Sequence, residues 1–263
     1  SAGDTIGATP LLSALFHDEP AIEAFNDIGV DFNAVGNHEF DEGLAELKRM
    51  QRGGCHPVDG CQDGDGFDGA DFRYLAANVF YEGTNRTILP AFRVRTFQHG
   101  IRIAFIGMTL EATPTIVTPS GVAGLEFRDE ADTVNRLVGQ LRRRGIRNIV
   151  VLIHEGGFPA SGGLYNECPG VSGPIVDIVE RTDPEVDLFV TGHTHQAYNC
   201  VIDDRVVTSA SSFGRAVSKI DVVVGRRTGL IQSITANNML VTRDVSPDPT
   251  MTALIAKYNA IAA

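Results

Sequence analysis

The amino-acid sequence predicts an α/β protein in which two sheets pack together and helices cover them. Up to His195, short apolar runs of strand length alternate with helical segments. Beyond His195 the pattern changes to consecutive β segments, which indicates antiparallel pairing. The chain has 263 residues, 43% of them hydrophobic, so it is long enough for a sizeable core in one large or two small domains. This mixture of patterns predicts two packed sheets with helices outside.

The first half of the chain contains five segments with the pattern of regular structure. They are helices at 10–17, 20–28 and 42–51 and strands at 32–35 and 72–80. Between the last helix and the last strand, residues 53–69 are rich in Gly, Asp and Cys, which predicts a surface excursion.

A hairpin follows, formed by strands at 92–96 and 101–108. Its turn is Gln98-His99-Gly100, which makes His99 an exposed turn residue rather than a metal ligand. The next helix has one apolar face, formed by residues at i, i+3, i+4 and i+7: Val134, Leu137, Val138 and Leu141.

The remaining elements continue the alternation and then end it. A strand at 149–153, a helix at 175–181 and a strand at 186–190 are followed by strands at 198–202, 206–210, 217–224 and 230–240 and by a helix at 249–261. Arg227-Thr228-Gly229 supplies the turn between the last two strands.

The net charge of −11 argues against a nucleic-acid partner, which would need clustered Lys and Arg. An acidic protein still binds phosphate if metal ions supply local positive charge. No apolar run approaches the roughly 20 residues that span a bilayer, so no transmembrane segment is expected. The chain opens at Ser1-Ala2-Gly3-Asp4 without a start methionine or a visible signal peptide, and we expect a processed or incomplete product.

The four cysteines favour an oxidising compartment by their even number and loop positions. Cys55 and Cys61 flank a turn-rich segment and are expected to form a disulfide, which leaves Cys168 with Cys200. The competing interpretation is a zinc knuckle formed by Cys55, His56 and Cys61, although that spacing is not usual for a zinc finger.

Three short motifs concentrate the metal-binding chemistry of the chain. They are Gly36-Asn37-His38-Glu39-Phe40-Asp41, His154-Glu155-Gly156-Gly157 and Gly192-His193-Thr194-His195. Each follows an apolar run that is predicted as a buried strand, and ligands gather beyond the carboxyl ends of such strands. Four of the seven histidines lie in these motifs. We therefore expect the three segments to meet at one edge of the sheets.

The residue types in these motifs suit two metal ions. Imidazoles, carboxylates and amide oxygens bind Zn²⁺, Mn²⁺ or Fe ions. His193 and His195 are two apart, so their rings can reach one rim and aim at different ions. Asp4 lies among small residues, where its carboxylate is placed to bridge both ions. Two such ions clamp a phosphoryl group and activate a water molecule.

A second pair of side chains near the metals suits proton transfer. Asn37 offers an oxygen ligand, which leaves His38 free for acid–base work, and Asp41 is placed to orient the imidazole. Each motif alone also has an ordinary structural explanation. Asn37 is a reasonable helix N-cap residue, and Gly-His-Thr-His is a reasonable exposed loop. Only the combination, in this order, predicts a functional site.

Together with Gly3-Asp4, the three motifs resemble the ordered motifs of the calcineurin-like metallophosphoesterase superfamily. They are most similar to the bacterial 5′-nucleotidase family, which includes UDP-sugar hydrolases and 2′,3′-cyclic-nucleotide phosphodiesterases. The similarity continues through Ala76-Ala77-Asn78-Val79, Ser212-Phe213-Gly214-Arg215 and the closing helix, so it covers nearly the whole chain. The resemblance implies a four-layer α/β/β/α sandwich of two packed mixed sheets.

The resemblance also implies a role for each site residue. Asp4 bridges two divalent metal ions, one of which has three further ligands: Asn37, His154 and His193. His195 binds the other ion. His38, with Asp41 as its partner, contacts the phosphate alongside Asn37 and assists the leaving oxygen. The implied reaction is in-line attack of a metal-bound hydroxide on the phosphate of a nucleotide.

The sequence departs from the family pattern at both ends. The family has an Asp-x-His motif on a strand upstream of Gly-Asp, and a C-terminal domain that binds the nucleoside. We therefore expect residues 1–244 to form a catalytic domain without its first strand, which leaves the second metal site incomplete. Residues 245–263 are expected to form a linker helix towards the C-terminal domain.

The leading interpretation is an extracellular, cell-surface or periplasmic metal-dependent hydrolase of the 5′-nucleotidase type, with a nucleotide or related phosphoester as its partner. Three alternatives remain. One is a non-catalytic fragment that binds metal or nucleotide. Another is a cyclic-nucleotide phosphodiesterase or nucleotide-sugar hydrolase of the same superfamily. The third is a hydrolase of thiosulfate-type esters, for which the sequence offers no substrate-binding cysteine or redox-partner motif.

Overall fold

The computed structural model describes residues 1–161 and 163–262, which form six α-helices and twelve strands. The helices are α1 (Leu11–Ala14), α2 (Glu19–Ile28), α3 (Gly43–Arg52), α4 (Glu130–Arg143), α5 (Pro174–Arg181) and α6 (Pro249–Ala262). The strands are β1 (Phe32–Ala34), β2 (Arg73–Leu75), β3 (Val79–Tyr81), β4 (Phe92–Thr96), β5 (Arg102–Thr109), β6 (Leu125–Phe127), β7 (Asn148–His154), β8 (Leu188–Thr191), β9 (Ala197–Ile202), β10 (Arg205–Ala210), β11 (Ala216–Val224) and β12 (Ile231–Leu240).

A six-stranded mixed sheet with the order β4-β5-β7-β8-β10-β9 forms one β layer. The four central strands β5, β7, β8 and β10 run parallel to one another. The edge strand β4 pairs antiparallel with β5, and the edge strand β9 pairs antiparallel with β10. Successive side chains of a strand point to opposite faces. Accordingly, Ile149 and Val151 of β7 pack under α4 and α5, while Val150 and Leu152 face the other way.

The second β layer consists of two separate two-stranded ladders, the parallel pair β1–β2 and the antiparallel pair β11–β12. Ala34 of β1 packs against the face of the six-stranded sheet that carries Val150 and Leu152. The layers lie close together at Gly107 of β5, where an added Cβ would lie 2.3 Å from the Leu75 Cβ. Any side chain at position 107 would therefore push the two layers apart.

Helices α2 and α3 form the outer layer beside β1–β2. Ile22, Leu47 and Met50 are fully buried there against Val35 and Tyr74. The order of layers is thus helix, sheet, sheet, helix, and the predicted four-layer α/β/β/α sandwich is confirmed. The one refinement is that, within the described residues, the second β layer is made of separate ladders rather than one continuous sheet.

Most predicted elements are present with ends shifted by one or two residues, and two predictions are wrong. The helix predicted at 10–17 is a single α-helical turn, Leu11–Ala14, followed by hydrogen-bonded turns up to Asp18. The strand predicted at 72–80 is two strands, since Arg73–Leu75 pairs with β1 and Val79–Tyr81 pairs with β6. Asn78 makes the break, because its side-chain amide donates to the carbonyls of Thr109 and Arg128.

The cysteine pairing is as predicted. Cys55 is bonded to Cys61, and Cys168 to Cys200. The first bond closes a short loop in the surface excursion, and the second joins the loop after β7 to β9. The alternative zinc knuckle is wrong, because the thiols of Cys55 and Cys61 are used in the disulfide.

Candidate metal centre

The predicted ligands come together where strands of both β layers end. β7 ends at His154, and its parallel neighbour β8 is followed by Gly192 and His193. In the second layer, Asn37 follows β1. Asp4 lies beside it because the Ser1 carbonyl accepts the Ala34 N–H at 3.1 Å. The site therefore straddles the two β layers.

Four side chains, which we call the central cluster, converge here: Asp4, Asn37, His154 and His193. The His154 Nε2 lies 3.0 Å from the Asp4 Oδ2 and 3.1 Å from the Asn37 Oδ1. The Asn37 Oδ1 also lies 3.1 Å from the His193 Nδ1. Ligands at about 2.0–2.2 Å from one ion are about 2.8–3.6 Å apart in octahedral or tetrahedral geometry. The central cluster thus has the spacing and the donor atoms of a transition-metal site.

The ring orientation of His154 is fixed by a hydrogen bond from the ring nitrogen that faces away from the cluster. Its Nδ1 donates to the Ala2 carbonyl at 2.7 Å, which leaves the Nε2 lone pair facing Asp4 and Asn37. Metal-binding histidines commonly have their second nitrogen held in this way. His154 is only 2% exposed, so this orientation is also enforced by packing.

Electrostatics favour the ligand forms of Asp4 and His193 and the protonated form of His154. Burial raises the pKa of the Asp4 carboxyl, but the hydrogen bond and charge of His154 outweigh it and the pKa is lowered overall. Burial and the neighbouring His154 charge lower the pKa of His193. Burial also lowers the pKa of His154, but the hydrogen bond and charge of Asp4 reverse this and raise it overall. A proton on His154 and a cation therefore compete for the same place beside Asp4.

Glycines let these segments approach each other. A Cβ at Gly36 would lie 2.2 Å from the Asp4 Oδ1, and a Cβ at Gly3 would lie 2.7 Å from the His154 Nδ1. Gly3 also has φ +98°, a conformation that L side chains rarely adopt. The glycines of Gly3-Asp4 and Gly36-Asn37 are thus required by the backbone geometry of the site.

Glu39 lies within the Gly36-to-Asp41 motif, and the sequence pattern predicts no role for it. Its buried carboxylate accepts from the backbone N–H groups of Asp4 at 3.0 Å and Thr5 at 2.7 Å, and from the Gly36 N–H. The Thr5 hydroxyl donates to it as well, at 2.9 Å. Burial, and then the charge of Asp4, raise the pKa of Glu39. Glu39 therefore fastens the Asp4 segment to the loop that carries Asn37 and His38.

His38 and Asp41 form a pair at the mouth of the site. The His38 Nδ1 lies 2.7 Å from the Asp41 Oδ2, and both side chains are 36% exposed. The His38 backbone N–H donates to the Asp4 Oδ1 at 3.0 Å, so the pair is tied to the central cluster. With Nδ1–H directed at Asp41, the Nε2 of His38 is available to a bound molecule.

His195 lies apart from the compact group. Its ring packs edge-to-face against Phe213 with centroids 5.4 Å apart. Among the residues that the structure describes, the tight ligand group contains Asp4, His154 and His193 but not His195. His193 and His195 both have positive φ, 65° and 56°, a backbone conformation that residues other than glycine seldom adopt. Such strained backbone is concentrated at functional sites.

Two other features lie away from the site. His99 is an exposed turn residue with φ 60°, as predicted. A cavity of about 1420 Å³ lies between the six-stranded sheet and β11–β12, and none of the residues that line it belongs to the central cluster. Within the described part of the chain, no helix is long and apolar enough to cross a membrane.

Comparison with known proteins places these features in a family. No protein-family model matches the chain. It is 34% identical over 262 residues to the endonuclease YhcR of Bacillus subtilis, an alignment that covers 99% of this chain and 20% of that protein. It is 28% identical over 198 residues to the 5′-nucleotidase of Vibrio cholerae, covering 74% of this chain and 32% of that protein. The chain thus spans a third or less of the length of these relatives.

A solved structure has the same fold. The calcineurin-like phosphoesterase YfkN from Bacillus subtilis superposes with a TM-score of 0.75 at 18% identity, covering 100% of this chain and 84% of that one. The motif order, the sequence similarity and the four-layer fold agree with one another. The chain therefore belongs to the calcineurin-like metallophosphoesterase superfamily, in the family of the bacterial 5′-nucleotidases.

Proposed function

We propose that the chain carries the catalytic machinery of a metal-dependent phosphoester hydrolase of the 5′-nucleotidase type, which releases phosphate from a nucleotide. The observation that supports this most is the position of the His38–Asp41 pair. It is hydrogen-bonded through the His38 backbone to Asp4 of the central cluster. A candidate cation site and a proton-transfer pair are thus joined by a direct hydrogen bond.

The central cluster would hold one divalent cation, and Asp4 and His195 would contribute to a second. When bound, such cations neutralise phosphate charge and lower the pKa of a water molecule. Zn²⁺, Mn²⁺ and Fe ions all suit the nitrogen and oxygen donors present. In a protein with a net charge of −11, these positions also provide the local positive charge that a phosphate needs.

His38 contacts the phosphate and transfers a proton to the leaving oxygen. Asp41 accepts the Nδ1–H and fixes the orientation of the ring, so the proton that is transferred is the one on Nε2. Asn37 orients the phosphate from the other side. The name of the Vibrio relative supports a nucleotide substrate. The two disulfides support a location outside the cytoplasm.

The test is phosphate release by the metal-stripped chain after addition of Mn²⁺ or Zn²⁺. The substrates are AMP, 2′,3′-cyclic AMP and UDP-glucose. His154→Asn removes a ligand, and His99→Gln is the matched control at an exposed turn. Cation-dependent hydrolysis of AMP that is lost only in His154→Asn supports the proposal. Preference for the cyclic nucleotide or the nucleotide sugar reassigns the substrate, and nucleotide binding without turnover under any cation identifies a non-catalytic module.

A further inference from the structure

A second group of ligand-type side chains lies on the surface excursion and the loops beside it. We call it the loop cluster: His17, Glu42, His56 and Asp59. His17 follows α1, and Glu42 immediately precedes α3. His56 and Asp59 lie within the loop that the Cys55–Cys61 disulfide closes. Three segments distant in sequence therefore bring two imidazoles and two carboxylates together.

The two imidazoles are stacked, with centroids 3.7 Å apart and an angle of 16° between the rings. One carboxylate lies at each end of the stack. At one end, Glu42 is 2.9 Å from the His17 Nδ1 and 4.0 Å from the His56 Nε2. At the other end, the Asp59 Oδ2 is 2.9 Å from the His17 Nε2 and 3.3 Å from the His56 Nδ1.

The hydrogen-bonding capacity of these groups leaves one contact, between His17 and Asp59, without a proton. A carboxylate only accepts, and a neutral imidazole has one N–H. If His17 donates its Nδ1–H to Glu42, its Nε2 lone pair faces an Asp59 oxygen, and two acceptors then meet at 2.9 Å. The His56 Nδ1 is unprotonated, since it accepts the Asp59 backbone N–H at 3.2 Å, and its lone pair becomes a ligand when an ion displaces that N–H. A proton or a metal ion must lie between the His17 Nε2 and the Asp59 carboxylate.

The arrangement around Glu42 is the one that histidine ligands have in metal sites. There, a carboxylate commonly binds the ring nitrogen that faces away from the metal and so fixes the tautomer. Glu42 occupies that place for His17. The imidazole side chains are only 18% and 13% exposed, whereas Asp59 is 45% exposed. A cation therefore has an entry route on the Asp59 side.

We propose that the loop cluster binds one transition-metal ion, with His17 Nε2, His56 Nδ1 and the Asp59 carboxylate as ligands and Glu42 as the partner of His17. Nitrogen and carboxylate donors of this kind suit Zn²⁺, and water fills the remaining coordination position. The ion replaces the proton between His17 and Asp59. It ties the surface excursion to the loop after α1 and to the start of α3.

The experiment is equilibrium dialysis of the whole chain against Zn²⁺ at pH 7.5, with metal counted per chain. His17→Gln and His56→Gln each remove a ligand, and His99→Gln is the matched control. His154→Asn separates this site from the central cluster. Far-UV circular dichroism checks that every variant is folded, and Asp59→Asn tests the third ligand with a minimal change in size.

We expect His17→Gln and His56→Gln each to lose one equivalent of Zn²⁺ relative to His99→Gln, and Asp59→Asn to weaken that equivalent about tenfold or more. His154→Asn should keep the equivalent. The proposal is overturned if the folded His17 and His56 variants bind as many ions as His99→Gln with the same affinity. It is equally overturned if the equivalent they lose is the one that His154→Asn loses.

Discussion

The central cluster and the loop cluster combine the same kinds of side chain on different frameworks. The central cluster is anchored to strands of both β layers, and His154 is only 2% exposed. The loop cluster is carried by loops, and its imidazoles are stacked rather than spread around one point. Ligand geometry is most exact where packed strands hold the backbone. Residue types alone therefore do not distinguish a strand-anchored cluster from a cluster on surface loops, whereas the supporting backbone does.

The largest expected effect is on the rate of hydrolysis and comes from His38, a residue with no counterpart in the loop cluster. His38→Ala should lower phosphoester hydrolysis by about 10² to 10⁴-fold, because general acid–base assistance is lost. Metal content should remain unchanged, because the cluster ligands are intact. Initial rates and elemental analysis of the same preparation provide the measurement. If metal content falls with activity, His38 is a ligand and the division of roles within the site is wrong.

The next largest effect is the loss of unfolding free energy when either disulfide is removed. The loss is expected to differ between the two bonds. Cys168 and Cys200 are 32 apart in sequence and join β9 to the loop that follows His154, whereas Cys55 and Cys61 are 6 apart around His56. The chain-entropy model predicts a loss of about 3–4 kcal/mol for replacing the first pair by alanine and about 2 kcal/mol for the second.

Urea unfolding of the two double variants measures these losses under non-reducing conditions. Cation affinity should fall at the cluster next to the bond that is removed. If removal of Cys55–Cys61 lowers the free energy of unfolding more than removal of Cys168–Cys200, the loop cluster contributes more to stability than the region around β9.

A third group of carboxylates, Glu111, Asp129 and Glu130, contains no histidine and serves as the contrast to both clusters. Burial raises the pKa of Glu130 from 4.5 to about 7. Because the folded pKa is the higher one, the folded state binds more protons than the unfolded state between these values. The free energy of unfolding should therefore fall as pH rises through this window, by up to about 3 kcal/mol.

Glu130→Gln should remove this dependence, since an amide does not titrate and its oxygen still accepts the Glu111 N–H. Urea unfolding of both proteins at pH 5 and pH 8 gives the difference, in which all other titrations cancel. We expect the variant to be close to the wild-type chain at pH 5 and more stable at pH 8. An identical pH dependence would show that Glu130 does not hold its proton in the folded state.

Much of the central cluster could be predicted from the sequence because its ligands follow local patterns. An apolar run of strand length before Asn37, His154 and His193 is visible without any knowledge of the fold. The hairpin of β4 and β5 has a turn signal of its own. Parity and the closeness of Cys55 to Cys61 were enough to predict both disulfides.

The rest depends on contacts between distant residues. Glu39 has its role because donors 34 and 35 residues away meet its carboxylate. The apolar run at 72–80 does not show that Asn78 will bind carbonyls of two other segments and interrupt the strand. His17 and His56 have no pattern that predicts their stacking. In each case tertiary packing, rather than local preference, determines the outcome.

Because the central cluster spans the two β layers, the concentration of the free metal should affect how fast the chain is degraded. A cation held by Asp4 and His154 binds the assembled layers and has no comparable site when they separate. Such a ligand raises the free energy of unfolding by RT ln(1 + [M]/Kd), about 2.7 kcal/mol when the free ion is 100 times its Kd. The fraction of molecules open to a protease would then fall about a hundredfold. When the metal is scarce, the protein would therefore be degraded faster in addition to losing its activity.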